Sequence, residues 1–120
     1  PERVYDSRPG VPPDGPNDGV LANSQTRTID LLASGSEQLR ENIDGVLLNV
    51  TVTQTTGAGF LSVFSADLTD VPAISNINWT SAGTTIANMT VTATEFARIK
   101  VHCGGTGSTH VIVDVIGMYG

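Results

Sequence analysis

Two histidines and one cysteine are the residues of this chain whose types suggest catalysis or metal binding. His102 and Cys103 are adjacent, and His110 follows in the next predicted strand. Successive residues of a strand point to opposite faces of a sheet, so His102 and Cys103 cannot act together on one substrate or metal. No carboxylate stands at a spacing that would orient a histidine base, and neither Gly-x-Ser-x-Gly nor His-Glu-x-x-His occurs. The sequence therefore predicts a protein that is not an enzyme, with no catalytic residue, metal site or cofactor.

Four charged residues near the two ends of the chain form the second candidate site. Arg3, Asp6 and Arg8 lie at the N-terminal end, and Asp114 interrupts an apolar segment near the C-terminus. A charge buried in an apolar strand must be paired, because an unpaired buried charge is very costly. We therefore expect Asp114 to accept hydrogen bonds from Arg3 or Arg8 and to tie the first strand to the last. The alternative is a polar site that binds a ligand.

Three residues are candidate contacts for a glycan. A sugar-binding surface needs an exposed aromatic ring beside polar side chains, and Trp79, Asn78 and Tyr119 supply these types. The alternative is that a lone tryptophan in a short strand belongs to the core or to an interface.

Two further patterns have a functional and a structural interpretation. Residues 14–19 (DGPNDG) offer the oxygen ligands that calcium prefers but lack the spaced acidic residues and closing glutamate of a calcium loop. Rows of asparagine and threonine could bind ice or sugar hydroxyls, pack against another subunit, or form the wet face of a sheet. We favour the wet face, because threonine has high strand propensity. The rows are Asn49, Thr51, Thr53 and Asn88, Thr90, Thr92.

Strict alternation of apolar and polar residues indicates the elements that position these groups. The clearest case is residues 45–53, where Leu48, Val50 and Val52 share one face. Similar patterns predict strands at residues 2–8, 26–32, 60–65, 75–79, 86–92, 96–103 and 109–118, and residues 36–43 are the one helical candidate. Residues 86–103 repeat the pattern of 45–65 and suggest a duplicated hairpin. About eight short antiparallel strands in one domain, residues 1–120, predict an all-β fold, a β-sandwich or jelly-roll-like barrel.

Composition excludes several classes of partner. Twelve acidic and six basic residues give a net charge of −6, and the basic residues are scattered, so we expect no nucleic acid partner. No apolar run is long enough to span a membrane, and the given sequence shows no basic-then-apolar segment at its start, so we expect neither a membrane span nor a secretion signal. The proline- and glycine-rich segment at residues 9–23 predicts a long loop, of the kind that often contacts a partner.

Several segments, taken together, resemble a family of β-rich domains found in secreted and wall-associated proteins of actinobacteria and in virion proteins of their phages. The matching segments are residues 3–8, 48–53, 59–63, 75–79, 86–88 and 108–117, in the family's order. The resemblance implies the same fold and a non-catalytic module. Many members contain a cysteine pair and follow a signal peptide. Here only Cys103 stands near one of the two cysteine positions, so the implied disulfide is missing.

If the chain is complete, the missing disulfide and signal peptide fit a virion protein, made in the host cytoplasm and released by lysis, better than a secreted protein. An initiator methionine is normally removed before proline, so Pro1 is expected to begin a complete product, although an excised domain would look the same. We expect a decoration-type subunit of the capsid or tail surface. It would bind other virion proteins through the proline-rich loop and an exposed sheet face, as a homo-oligomer, with a trimer preferred. The alternative is an extracellular module that binds carbohydrate or cell-wall glycan.

Overall fold

The computed structural model describes residues 1–13 and 18–120, in which eight strands form two sheets. The strands are β1 (Glu2–Asp6), β2 (Thr26–Asp30), β3 (Gly45–Thr56), β4 (Gly59–Ser65), β5 (Ile77–Trp79), β6 (Ile86–Ala93), β7 (Arg98–Gly105) and β8 (Ser108–Tyr119). Sheet A has the order β1-β8-β3-β6, sheet B has the order β2-β7-β4-β5, and all paired strands are antiparallel. The all-β, sandwich-like fold is confirmed. Among the described residues, no helix is long and apolar enough to cross a membrane.

The core lies between the two sheets and is built from alternate residues of the longer strands. Leu48, Val50 and Val52 of β3 are at most 1% exposed, and Ile99 and Val101 of β7 are fully buried. Branched aliphatic side chains at every second position bury one face of each strand against the opposite sheet. The inward face predicted for residues 45–53 is therefore confirmed.

The helix predicted at residues 36–43 is wrong. The Ser36 Oγ accepts hydrogen bonds from the N–H groups of Gln38 and Leu39, both at 3.3 Å, as a helix cap would. The chain then continues in turns and bends, while Leu39 and Ile43 are buried in the core. A helix of two turns has little stability of its own, because its few hydrogen bonds barely offset the cost of nucleation. Burial of the two apolar side chains therefore decides the path of the chain.

The interpretation of the internal repeat as a duplicated hairpin is also wrong. β3 and β4 follow each other along the chain but lie in different sheets, and the same holds for β6 and β7. Each segment pairs with its counterpart instead: β3 with β6 in sheet A, and β4 with β7 in sheet B. The internal similarity reflects two equivalent crossings between the sheets.

The loop at residues 66–76 covers part of the outer side of sheet B. The Ser62 hydroxyl donates to the Ile74 carbonyl, and the Val63 N–H donates to Asn76 Oδ1 at 2.8 Å. Ser62 and Phe64, which point away from the core, are consequently buried at 0% and 3% exposure. The outer side of sheet A carries a different loop, residues 9–13, which leaves much of it open.

Candidate functional site

One row of residues crosses all four strands of sheet A on the side away from the core. It runs from Arg3 in β1 through Asp114 in β8 and Asn49 in β3 to Met89 in β6, because each is the pairing partner of the next. In β8 and β3 the residues that alternate with this row, such as Val113, Val115, Leu48 and Val50, fill the core, so the row lies on the opposite face. We call this surface the outer face of sheet A; it comprises Arg3, Leu47, Asn49, Met89, Val91, Asp114 and Ile116.

A groove of about 700 Å³ lies on this face, between the strands and the proline-rich segment at residues 9–13. It is lined by Pro1, Arg3, Val11, Pro12, Pro13, Asn49, Asp114 and Ile116. The loop that the sequence suggested as a partner contact thus forms one wall of the groove. Residues 14–17, which carry most of the calcium-like segment, lie outside the described residues, so that interpretation stays a prediction.

The pairing expected for Asp114 involves Arg3. The Arg3 Nε donates to Asp114 Oδ1 at 3.0 Å and its second nitrogen, Nη2, donates to Oδ2 at 3.4 Å. The two side chains are 45% and 15% exposed, so this ion pair lies at the surface of the groove rather than in the core. The predicted pairing of Asp114 with an arginine of the first strand is confirmed. Solvent screening makes this partly exposed pair worth little to stability.

The buried ion pair joins Asp6 to Arg8 instead. Asp6 Oδ1 accepts hydrogen bonds from the Arg8 backbone N–H and from Nε, both at 3.0 Å, and Oδ2 accepts from Nη2 at 2.6 Å. The Asp6 side chain is fully buried and that of Arg8 is 27% exposed. Burial alone would raise the pKa of Asp6, but the hydrogen bonds from Arg8 and the charges of Arg8 and Arg3 outweigh it and lower the pKa. This pair fixes the turn by which the chain leaves β1.

A buried serine and histidine contact each other beside this turn. Ser7 Oγ lies 2.9 Å from His110 Nδ1 and accepts the Val111 N–H, also at 2.9 Å. Burial lowers the pKa of His110; the charges of Arg8 and Arg27 also lower it, and that of Asp6 opposes them. Ser7 is fully buried and His110 is 7% exposed, so this contact holds β8 against the chain after β1 and presents no nucleophile to solvent.

The remaining residues suggested for metal or thiol chemistry are dispersed. His102 contacts Thr26 Oγ1 at 2.8 Å on the outer side of sheet B, whereas Cys103 is buried in the core. Burial raises the pKa of the Cys103 thiol, which disfavours a reactive thiolate. Within residues 1–13 and 18–120, no group of three or more histidine, cysteine or acidic side chains could hold a metal ion.

The asparagine and threonine row of β6 does not lie on the wet face as predicted. Asn88 and Thr90 pair with Val50 and Leu48, which are core residues, so they point to the inner side of sheet A. Asn88 Nδ2 donates to the Asn76 carbonyl at 2.9 Å, and Asn76 Nδ2 donates to Thr90 Oγ1 at 3.0 Å. This row therefore anchors the loop before β5.

The outer side of β6 is apolar as a result. Met89 and Val91 are 55% and 64% exposed, and Ile116 of β8 is 42% exposed on the same face. These residues were not predicted from the sequence, although the signal was present: residues 86–92 carry apolar side chains at both alternate sets of positions. The contact between Ser7 and His110 had no such signal, because the register of β1 on β8 alone brings them together.

The three candidate glycan contacts do not form a site. Trp79 is 2% exposed and belongs to the core, so its ring cannot stack on a sugar. Its neighbour Asn78 is exposed on sheet B, whereas Tyr119 is 51% exposed on sheet A. The assignment of Trp79 as a glycan contact is therefore wrong, because β5 pairs with β4 in the register that turns the indole inward.

No family model, no curated protein sequence and no solved structure matches this chain.

Proposed function

We propose that this chain is a non-enzymatic structural subunit of an actinobacteriophage virion, a decoration-type protein of the capsid or tail surface. It is made in the host cytoplasm and assembles as a homo-oligomer with other virion proteins. The assignment to a virion rests on the resemblance of six ordered segments, residues 3–8, 48–53, 59–63, 75–79, 86–88 and 108–117.

One observation carries the proposed mode of attachment: the groove between residues 9–13 and the outer face of sheet A. Its walls are proline and aliphatic side chains, and the ion pair of Arg3 with Asp114 is half open to solvent. A concave apolar surface with few convergent polar groups favours a protein partner that inserts a loop or terminus. Rigid proline walls lose little entropy when the partner binds.

Binding to purified virions lacking the subunit tests this proposal. The parent chain is expected to co-sediment with the particles, and Ile116→Glu, which places a charge in the groove, is expected to abolish binding. Leu68→Glu is the matched control, because Leu68 is equally exposed at 42% but lies on the loop over sheet B. Failure of the parent to bind capsids and tails, or equal binding by the two variants, would contradict the proposal.

A second candidate function, adhesion to cell-wall glycan, has one observation in its favour. A cleft of about 320 Å³ on the outer side of sheet B is lined by Phe60, Val71, Pro72, Ala73, Ile74, Ser75 and His102. Asn78 pairs with Phe60 and lies beside this cleft. A Cβ at Gly104 would collide with the Phe60 ring, so the glycine lets this ring lie flat on the sheet.

In this candidate function Phe60 takes the stacking role that the sequence suggested for Trp79. The chain would then be pulled down by actinobacterial cell walls, and Phe60→Ala would weaken binding while Leu68→Ala would not. Absence of binding to every wall fraction would remove this candidate.

A further inference from the structure

We infer that β6 pairs edge to edge with β6 of a second copy of this chain, which joins the two A sheets into one continuous sheet. The inference rests on the proposed function only in taking the chain to self-associate. The surface involved is the backbone edge of β6, not the groove proposed to contact the particle.

Three of the four sheet edges carry the devices that normally prevent edge-to-edge pairing. β1 bears Glu2 and Arg3 and has a register shift against β8, β2 bears Arg27 and Asp30, and β5 has only three residues. Charges, irregularities and short length all disfavour the addition of another strand.

The fourth edge, β6, has none of these devices. Its eight residues (IANMTVTA) include no charge and no proline. It pairs with β3 over eight consecutive residue pairs, from Ala93 to Ile86, without a register shift. A long, regular and uncharged edge strand is the type of edge that accepts a further strand.

The hydrogen bonds of β6 indicate which backbone groups are open to a partner. The Met89 N–H donates to Asn88 Oδ1 at 3.1 Å, so it points away from β3. In an antiparallel strand alternate residues share this direction, which places the backbone groups of Ala87, Val91 and Ala93 at the open edge as well. The Ala93 carbonyl accepts from Thr92 Oγ1, also at 3.1 Å. These local hydrogen bonds come from the short side chains of Asn88 and Thr92, which a partner strand can replace at little cost.

The sequence of β6 is self-complementary about Thr90. In an antiparallel pair centred there, Met89 lies opposite Val91 of the other copy, and Ala87 lies opposite Ala93. Apolar side chains then meet on the outer face of the joined sheet, and polar side chains meet on the inner face. The pairing brings Met89 and Val91, two of the most exposed apolar side chains among the described residues, into lateral contact across the two strands. It also forms about eight hydrogen bonds between the backbones.

A contact of this kind is isologous and closes with two copies. It therefore gives a dimer through β6, in place of the trimer preferred from the analogy with virion surface proteins. The mass in solution distinguishes the two states.

The test measures the mass of the full chain by light scattering over a concentration series. The parent is expected at twice its 12.5 kDa. Val91→Pro removes an N–H at the open edge without removing a hydrogen bond to β3, and proline is tolerated at such edge positions. Val91→Lys adds a charge to the edge. Both variants are expected to be monomers, with melting temperatures close to that of the parent at dilutions at which its dimer has dissociated. Val20→Lys, at an exposed valine of the loop before β2, is the control and is expected to remain a dimer.

A cysteine at the predicted two-fold axis gives a second, independent readout. Thr90→Cys is expected to form a disulfide-linked dimer under mild oxidation, whereas Thr28→Cys on edge strand β2 is not. The native Cys103 is buried and does not compete. The inference would be overturned by a parent that stays monomeric at millimolar concentration, by an oligomer other than a dimer, or by equal cross-linking of the two cysteine variants. A monomeric parent that still binds particles would leave the proposed function standing.

Discussion

Replacing Asp6 by asparagine should destabilise this protein far more than the same change at Asp114. Both aspartates pair with an arginine, but only the Asp6 side chain is fully buried. An asparagine at position 6 keeps one oxygen for the Arg8 backbone N–H and Nε. It turns an amide donor toward Arg8 Nη2, where Asp6 Oδ2 now accepts a hydrogen bond.

The size of the effect follows from burial. Removing one partner of a well-buried ion pair costs about 3 to 5 kcal/mol. Arg8 keeps 27% exposure, so its guanidinium is partly rehydrated, and the expected loss is about 2 to 3 kcal/mol. For a domain of this size that corresponds to a fall in melting temperature of roughly 6 to 15 °C. Asp114→Asn removes a surface pair and should cost about 0 to 1 kcal/mol.

Thermal unfolding of the parent and both variants at neutral pH measures this difference. Equal losses for Asp6→Asn and Asp114→Asn would refute the argument from burial, and so would an unchanged midpoint for Asp6→Asn. The pH dependence is a second check, because the pKa of Asp6 is lowered in the folded protein. The unfolded chain then binds the proton more tightly, so the stabilisation is present at neutral pH and is lost below about pH 4. The melting curves of the parent and Asp6→Asn should therefore converge in acid.

Three further predictions concern buried groups. Because burial lowers the pKa of His110, stability should fall as the pH decreases through about 6.5, the usual histidine value; His110→Gln should flatten the dependence of the melting temperature on pH between 7 and 5, and an identical slope would contradict this. Trp79 should show blue-shifted fluorescence that acrylamide quenches poorly, and Trp79→Ala should cost about 3 to 5 kcal/mol in urea unfolding; strong quenching in the native state would contradict its burial. Cys103 should react with an aromatic disulfide reagent only on unfolding, because its thiol is buried and its pKa is raised; rapid reaction of the native protein would show that the thiol is accessible.

The core strands could be predicted from the chain because their pattern is local. In β3, alternation alone identifies Leu48, Val50 and Val52 as the inward face, since a strand buries every second side chain whatever its neighbours are. Burial of Ile99 and Val101 in β7 follows from the same pattern. The all-β class follows likewise from the two-residue period of apolar side chains along the chain. The same period places the side chains of His102 and Cys103 on opposite faces of the sheet.

Tertiary structure decided what depends on register and on contacts between distant segments. Arg3 and Arg8 were equivalent partners for Asp114 in the sequence, and only the register of β1 on β8 places Arg3 opposite it. Similarly, the pairing of β6 with β3 decides that Thr90 points inward and Met89 outward, because a shift of one residue would exchange the two faces. Register is set by the sum of packing interactions along whole strands, and no short segment carries that information.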